Sequence, residues 1–396
     1  MNSSANPTLP RKPWANWLLV AAFAGLLWLP TVDFFTGVDL TGPPSENRLP
    51  APKPRFTRVD FSGVQKYAAD LEVYFNDHFG FRKRLIRWFQ QWKTRLYHDE
   101  GVSMKRVVSG QHGWLFYGEA QMMEHYLGIA KFTPAQLEAW QKLLEKRRDW
   151  LAARGIQYLL VIPPDKQNIY SEELPAWLQK AAPANREIKL DQLLKYMREH
   201  STVPILDVRP PLVAAKPLAP TYLQNDSHWN SFGCFVACQE VIKTLAKDFP
   251  GLPPLRLEDF TLTNMPATGG DLSRMLGKEP AEKNSFTFHP KPGVVVPQVR
   301  PATNFALNWG SHNPHAISEN PGPLKETAVV FHDSFGAAWR PFLGCSFKRV
   351  VFIWDNREFN ARIITENQPR IVINEMLERF VNIQDPVEML AKDALP

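Results

Sequence analysis

An apolar run that ends abruptly in polar residues constrains the fold of this chain more than any other stretch. The run Val329–Phe331 is followed at once by His332-Asp333-Ser334 and then by Phe335-Gly336. Three apolar residues in a row predict a strand buried on both faces, as in a parallel sheet. The residues after the run are typical of a turn into a helix, where unsatisfied backbone N–H groups and a partial positive charge lie. We therefore expect Ser334 just beyond the carboxyl end of a strand.

A serine in such a turn has the position of an acyl-transfer nucleophile. Backbone N–H groups beside it would stabilise the oxyanion that forms during the reaction. Asp333 or Ser334 could instead do no more than cap the helix that follows, which is the commoner role of these residue types. The turn alone leaves both interpretations open.

A second stretch offers the other two parts of a serine-dependent site. Asp226-Ser227-His228 places a carboxylate and an imidazole two residues apart, ahead of a helical run. A nucleophilic serine needs a base, and the base needs a carboxylate that fixes its tautomer. Ser334, His228 and Asp226 are therefore a candidate catalytic triad. The alternative is another helix N-terminus that happens to contain a histidine.

Other chemistries find less support in the sequence. The spacing of the three cysteines, Cys234, Cys238 and Cys345, predicts neither a disulfide framework nor a metal site. A net charge of +6 without a concentrated basic stripe argues against nucleic-acid binding. We predict no metal and no cofactor, although a zinc site is conceivable from four side chains: Asp226, His228, His332 and Asp333.

Five short apolar runs, each followed by helix-like sequence, predict the fold class. They predict an α/β domain with a mostly parallel sheet of about five strands and helices on both faces. Catalytic loops would lie at the carboxyl ends of these strands. The stretch from about 250 to 325 is rich in Pro, Gly and Asn, with a weak apolar period only at Val294 to Val296, and predicts a loop-rich insertion with short strands and long loops. The five runs are Ile156–Ile162, Val203–Leu206, Thr327–Phe331, Val350–Trp354 and Ile371–Ile373.

The N-terminal region predicts a membrane anchor. Arg11 and Lys12 precede an uncharged, mostly apolar stretch from Trp14 to Val32, which is long enough to span a bilayer. The basic flank would stay in the cytoplasm, so the rest of the chain would lie outside it. A cleaved signal peptide has the same order of features. We favour an uncleaved transmembrane helix.

A tether and a helical arm are predicted between the anchor and the α/β domain. In the arm, apolar residues from Phe81 to Leu96 recur every three or four positions with basic residues between them. Such a helix could lie on a membrane surface or contact an acidic chain, or pack on a core with a solvated basic side. The expected division is a tail at 1–13, the anchor at 14–32, the arm at 33–100 and a catalytic domain at 101–390.

Several short motifs, in their order along the chain, resemble the periplasmic alginate O-acetyltransferases of the AlgJ/AlgX type, whose catalytic domain is similar to that of SGNH hydrolases. The resemblance covers roughly residues 45 to 385. The chain shows no carbohydrate-binding module after the catalytic region, which favours the anchored, single-domain form. The motifs are Glu46-Asn47-Arg48, Asn76-Asp77-His78-Phe79-Gly80-Phe81-Arg82, Gly113-Trp114-Leu115-Phe116-Tyr117, Ile162-Pro163-Pro164-Asp165-Lys166, Asp226-Ser227-His228-Trp229-Asn230, Gly270-Asp271-Leu272 and His332-Asp333-Ser334-Phe335-Gly336.

The resemblance implies a three-layer α/β/α domain and an acetyl-serine mechanism, with Ser334 as nucleophile, His228 as base and Asp226 as its orienting acid. It also implies a single-pass inner-membrane protein whose periplasmic domain acetylates hydroxyls of an exported polysaccharide. A separate multispanning membrane O-acyltransferase would supply the acetyl group. Two alternatives stay open: an extracytoplasmic carbohydrate acetyl esterase, and a non-catalytic polysaccharide-binding scaffold.

Oxyanion and substrate contacts are harder to assign from sequence. The backbone N–H groups at Ser334 and Phe335 are the first oxyanion candidates. Trp229, Trp309 and Trp339 are candidate sugar platforms, with core packing as the alternative role of each. Further candidates are Asn356, after the strand that ends at Trp354, the Gly269-Gly270 loop and Arg340.

Overall fold

A computed structural model describes residues 13–38, 51–56, 60–82, 84, 85, 88, 106–119, 121–302, 315–354, 359–393 and 395 of the chain. The chain divides into two compact units, Met1–Leu96 and Tyr97–Pro396.

The first unit contains two described helices, α1 (Pro13–Thr36) and α2 (Phe61–His78). Asp60 caps α2, since its side chain accepts a hydrogen bond from the backbone N–H of Gly63. By length and composition, the segment Trp17–Thr36 of α1 could cross a membrane, a property that signal sequences share. Most of the predicted basic arm between Phe81 and Leu96 lies outside the described residues.

The second unit is built on one seven-stranded mixed sheet with short strands beside it. The thirteen strands of its described residues are β1 (Val107–Ser109), β2 (Leu115–Tyr117), β3 (Gln157–Ile162), β4 (Ile205–Asp207), β5 (Phe260–Asn264), β6 (Ala267–Thr268), β7 (Ala281–Glu282), β8 (Phe286–Pro290), β9 (Gln298–Pro301), β10 (Ala316–Glu319), β11 (Thr327–His332), β12 (Arg349–Trp354) and β13 (Ile371–Glu375).

Helices alternate with these strands along the chain. They are α3 (Met122–Tyr126), α4 (Pro134–Ala152), α5 (Lys166–Ile169), α6 (Ala176–Ala181), α7 (Lys189–His200), α8 (Arg209–Ala215), α9 (Ser231–Leu245), α10 (Asp271–Met275), α11 (Arg340–Leu343), α12 (Ala361–Asn367), α13 (Glu378–Ile383) and α14 (Pro386–Lys392). Helix α4 begins with a capping box, in which the side chain of Thr133 accepts from the backbone N–H of Gln136 and the side chain of Gln136 accepts from the backbone N–H of Thr133.

The strand order in the large sheet is β4-β3-β13-β11-β12-β10-β9. The first five strands in this order, β4 to β12, pair in parallel with their neighbours. These five are the strands predicted from the apolar runs. The prediction of about five strands is nevertheless too small, because antiparallel β10 and β9 extend the sheet to seven. Both come from the predicted loop-rich insertion, in which the apolar period at Val294 to Val296 does not form a strand.

Apolar side chains fill both faces of the large sheet. On one face Val330, Phe352 and Ile373 pack with residues of α9. On the other face Val329 and Val351 pack with residues of α4 and α7. Strands buried on both faces give the uninterrupted apolar runs seen in the sequence, and the result is a helix–sheet–helix arrangement.

A buried ion pair joins distant parts of the second unit. Arg147 Nε on α4 donates to Asp393 Oδ2 at 2.8 Å, and both side chains are at most 2% exposed. Arg147 Nη1 also donates to Asn374 Oδ1 on β13 at 3.1 Å. The pair therefore connects α4, the central sheet and the end of the described chain.

Candidate active site

The turn His332–Gly336, called here the nucleophile turn, follows the central strand β11. Asp333 shapes it: Oδ1 accepts a hydrogen bond from the N–H of Phe335 at 2.8 Å, and Oδ2 accepts one from the N–H of Leu377 at 3.0 Å. The N–H of Asp333 donates to Glu375 Oε2 at 2.8 Å. Asp333 is thus the capping residue of the turn, while the Ser334 hydroxyl points elsewhere. A 3₁₀ turn, Gly336–Trp339, leads from there into α11.

The segment Leu223–Trp229, called here the acid–base loop, lies between α8 and α9. His228 Nδ1 lies 2.6 Å from Asp226 Oδ1, and the N–H of His228 donates to the same oxygen at 3.0 Å. His228 Nε2 lies 2.8 Å from Ser334 Oγ, although the two residues are 106 positions apart. The structure therefore brings Ser334, His228 and Asp226 together in one chain of hydrogen bonds.

The order of these hydrogen bonds fixes the tautomer of His228. An ionised carboxylate only accepts hydrogen bonds, so the proton on the ring lies at Nδ1, facing Asp226. Nε2 then carries a lone pair and accepts the Ser334 hydroxyl proton. This is the arrangement by which a triad activates a serine. The side chain of His228 is 30% exposed, so a substrate can reach it.

The electrostatics of the pair follow from its contacts. Burial alone would raise the pKa of Asp226, but the hydrogen bond and charge of His228 and two backbone N–H groups lower it overall. Burial alone would lower the pKa of His228, but the hydrogen bond and charge of Asp226 raise it overall. Asp226 is therefore ionised at neutral pH, and it stabilises a protonated His228.

Asp271, which was not among the predicted catalytic residues, is a second carboxylate at this site. Its Oδ2 lies 3.7 Å from His228 Nδ1, and its backbone N–H donates to Asp226 Oδ2 at 2.8 Å. Its carboxylate accepts hydrogen bonds from the N–H and the hydroxyl of Ser227. The motif Gly270-Asp271-Leu272 was the only sequence signal for it.

Two buried charged side chains hold the backbone of the acid–base loop. Lys166 Nζ donates to the carbonyl oxygens of Leu223, Gln224 and Asp226 at 3.0, 3.2 and 2.6 Å. Glu282 accepts from the N–H groups of Gln224 and Asn225 at 3.0 and 2.8 Å. Burial lowers the pKa of Lys166 to about 7, against the opposing charges of Asp226, Asp271 and Glu282. In the sequence Lys166 stands in one of the family motifs, without a signal for its role.

Two of the predicted oxyanion candidates, Phe335 and Gly270, contact residues of the site. The backbone N–H of Phe335 donates a hydrogen bond to Asp333 Oδ1, and the Phe335 ring packs against the ring of His228 at a centroid distance of 4.9 Å. Gly270 touches the acid–base loop: a Cβ there would lie 2.2 Å from the carbonyl oxygen of Asn225 and 2.9 Å from the N atom of Asp226. Gly270 thus permits the close approach that brings Asp271 to the triad.

Of the two roles considered for Trp229, the structure shows core packing. Its side chain is buried, its Nε1 donates to the carbonyl oxygen of Phe335 at 3.2 Å, and its ring packs near Trp339. Trp339 is fully buried as well, so both residues belong to the core. Trp309 and Asn356 lie outside the described residues. The half-buried Arg340 begins α11, and its charge adds to the effect of burial in lowering the pKa of His332.

Within the described ranges, one group of three side chains has ligand atoms close enough to hold a metal ion: Asp226, His228 and Asp271. These are the triad acid and base with their neighbouring carboxylate. His332 and Asp333, which were part of the conceivable zinc site, are not members of this group. Burial lowers the pKa of His332 to about 3, and its Nδ1 lies 2.7 Å from the carbonyl oxygen of Asp333.

Comparison with known proteins supports the family expected from the motifs. Residues 107–301 match the family model described as ALGX, an SGNH hydrolase-like domain of the acetyltransferase AlgX. The matched range contains Lys166, Asp226, His228 and Asp271 and ends before Ser334.

Two curated relatives are probable alginate O-acetylases named AlgJ. The one from Pseudomonas putida is 27% identical over 180 residues, which are 45% of this chain and 44% of that protein. The one from Pseudomonas fluorescens is 25% identical over 299 residues, which are 71% of this chain and 70% of that protein. The chain thus matches less than half the length of the first relative.

Two solved structures share the fold. Bacillus cereus PatB1 superposes with a TM-score of 0.51 at 18% identity, over 71% of this chain and 98% of that one. A DHHW family protein from Eubacterium siraeum superposes with a TM-score of 0.50 at 15% identity, over 74% of this chain and 99% of that one. At such identities the likeness concerns the fold alone.

Proposed function

Because residues 107–301 carry the SGNH hydrolase-like domain of the AlgX acetyltransferase family, we propose that this chain is an O-acetyltransferase for an exported, alginate-like polysaccharide. One observation carries the proposal: Asp226, His228 and Ser334 are joined by hydrogen bonds of 2.6 and 2.8 Å. That geometry suits a nucleophilic serine. It gives no support to the scaffold alternative, in which these residues need not meet.

The reaction would proceed in two balanced steps. In the first, Ser334 Oγ attacks the acetyl carbonyl carbon of the donor while His228 Nε2 takes the hydroxyl proton. The donor's leaving oxygen departs with that proton, and an acetyl ester on Ser334 remains. In the second, His228 takes a proton from a sugar hydroxyl, whose oxygen attacks the acetyl-serine. Ser334 leaves with the proton, and the sugar carries the acetyl group.

The proposed setting is the periplasmic side of the inner membrane. Helix α1 is long and apolar enough to serve as the single anchor, and Arg11 and Lys12 precede it. Acetyl groups would reach Ser334 from a multispanning membrane O-acyltransferase. An acetyl esterase is the second candidate, because the 30% exposure of His228 gives water a route to the same acetyl-serine.

The direct test is mass spectrometry of the Ser334 peptide after incubation with an activated acetyl ester. We expect a mass increase of one acetyl group in the wild-type protein and none in Ser334→Ala. Ester turnover should fall roughly a thousandfold or more in Ser334→Ala, His228→Ala and Asp226→Ala, and double variants should be little worse. Turnover at the wild-type rate in Ser334→Ala would refute the proposal.

Labelled acetyl then separates transfer from hydrolysis. With an acceptor oligosaccharide present, a transferase moves the label to sugar, whereas an esterase releases acetate alone.

The rate of Ser334 acetylation should also rise with pH, since only neutral His228 accepts a proton. Because Asp226 raises the pKa of His228, the midpoint should lie above the ordinary histidine value of about 6.5.

A further inference from the structure

The ring of His228 faces two carboxylates rather than one. Asp226 Oδ1 lies 2.6 Å from His228 Nδ1, and Asp271 Oδ2 lies 3.7 Å from the same nitrogen. The side chain of Asp271 is only 8% exposed, so solvent screens its charge poorly. A triad needs one orienting carboxylate, and the second one requires an explanation.

Asp271 is bound to the acid–base loop by three hydrogen bonds. Its N–H donates to Asp226 Oδ2 at 2.8 Å. In return the N–H of Ser227 donates to Asp271 Oδ1 at 2.7 Å, and the Ser227 hydroxyl donates to Asp271 Oδ2 at 2.5 Å. Ser227 stands between the acid and the base in sequence, so these bonds fix both of its neighbours.

We propose that Asp271 is a positioning residue for the His228 base. Its carboxylate holds Ser227 and adds a second negative charge beside Nδ1. That charge favours the imidazolium that forms when Nε2 takes the proton of Ser334 Oγ. The inference rests on the proposed function, because it assigns Asp271 a part in activating the same serine.

Other charged groups act on His228 from the surrounding elements. Arg379 on α13 opposes the imidazolium, and Asp333 in the nucleophile turn favours it. Lys166 is held against the carbonyl oxygen of Asp226. The guanidinium of Arg379 is itself paired with Asp165 at 2.9 Å. Asp271 is the carboxylate that lies nearest to His228 Nδ1 after Asp226.

The test compares two variants of the full chain: one removes the negative charge of residue 271, and the other keeps it. Asp271→Asn keeps a similar shape and loses the charge, whereas Ser227→Ala loses the 2.5 Å hydrogen bond and keeps the charge. The titration midpoint of His228 is read from the NMR signals of its labelled ring. We expect Asp271→Asn to lower this midpoint by about one pH unit and Ser227→Ala to leave it near the wild-type value. Asp271→Ser serves as the charge-removing variant if Asp271→Asn does not fold.

Acetylation of Ser334 by a small ester should slow about tenfold in Asp271→Asn, in proportion to the lost preference for the imidazolium. An unchanged midpoint in the charge-removing variant would overturn the inference and reduce Asp271 to a structural residue. The titration needs no acetyl donor, so it stands apart from the proposed function. A wild-type protein that never forms acetyl-Ser334 would refute that function, whatever the midpoint.

Discussion

The nucleophile turn and the acid–base loop meet at one site but are held in opposite ways. The turn continues a central strand and is fixed by carboxylates close to that strand's end, Asp333 and Glu375. The loop is irregular and is fixed from outside by Lys166, Glu282 and Asp271, which lie far from it in sequence. The position of a turn at a strand end is set by the sheet. The N–H and C=O groups of a buried irregular loop have no strand partner, so here buried charged side chains form hydrogen bonds with them.

The largest effect that tests this contrast is expected from Lys166→Met. The variant leaves three loop carbonyl oxygens without their ammonium donor, so we expect a loss of about 3 kcal/mol in the free energy of unfolding. Lys216→Met is the matched control, because the Lys216 side chain is 23% exposed and donates to Ile169 and Glu172. Urea unfolding of both variants gives the comparison. Equal losses would contradict the special role of Lys166.

A slightly smaller effect is expected from Gly270→Ala. The new Cβ would meet the backbone of Asn225 and Asp226, so the loop must shift at a cost of about 2 kcal/mol. Ester turnover should fall along with stability, because Asp226 moves with the loop. Gly251→Ala, where a Cβ meets nothing within 4 Å, should cost little. Thermal unfolding and turnover of the two variants check this, and full activity in Gly270→Ala would contradict the contact.

The nucleophile turn should respond differently to a loss of charge. Burial and the charge of Asp333 raise the pKa of Glu375 well above its ordinary value. Glu375→Gln keeps the oxygen that accepts the N–H of Asp333, and it should cost less than about 1 kcal/mol. Glu375→Ala removes that acceptor and should cost about 2 kcal/mol. Denaturation at pH 7 measures the free energy of unfolding of both variants. An equally large loss of stability in Glu375→Gln would mean that the charge of Glu375 matters.

The smallest effect concerns the bond between the two regions. Trp229→Phe keeps an aromatic ring but loses the hydrogen bond to the Phe335 carbonyl oxygen. Trp140→Phe loses a similar ring volume at a buried site where Nε1 has no partner within the described part of the chain. Trp229→Phe should be the less stable of the two by about 1 kcal/mol. Its KM for an oligosaccharide acceptor should not change, and a raised KM would restore the platform interpretation.

The two regions also differ in how far sequence predicts them. All five parallel strands can be predicted, because a strand that is buried on both faces has a continuous run of apolar residues. Short strands were expected in the insertion, but the addition of β9 and β10 to the large sheet was not, because β9 is exposed along its length at the sheet edge and carries no apolar pattern. The meeting of Ser334 with Asp226 and His228 was expected from residue types that complete each other chemically. Lys166, Glu282 and Asp271 received no role, because charged side chains are rarely buried and their partners are loop backbone atoms far along the chain.

The ion pair between Arg147 and Asp393 has a consequence for the order of events during biosynthesis. Arg147 lies on the helix that covers one face of the sheet, and its buried partner comes 246 residues later. A nascent chain leaves the ribosome from its N-terminus, so the carboxylate of Asp393 becomes available to Arg147 only when nearly all of the second unit has emerged. An unpaired buried charge is costly, so the packed state around α4 is disfavoured in every shorter intermediate. Burial of this side of α4 is therefore favoured only once the end of the second unit has been made.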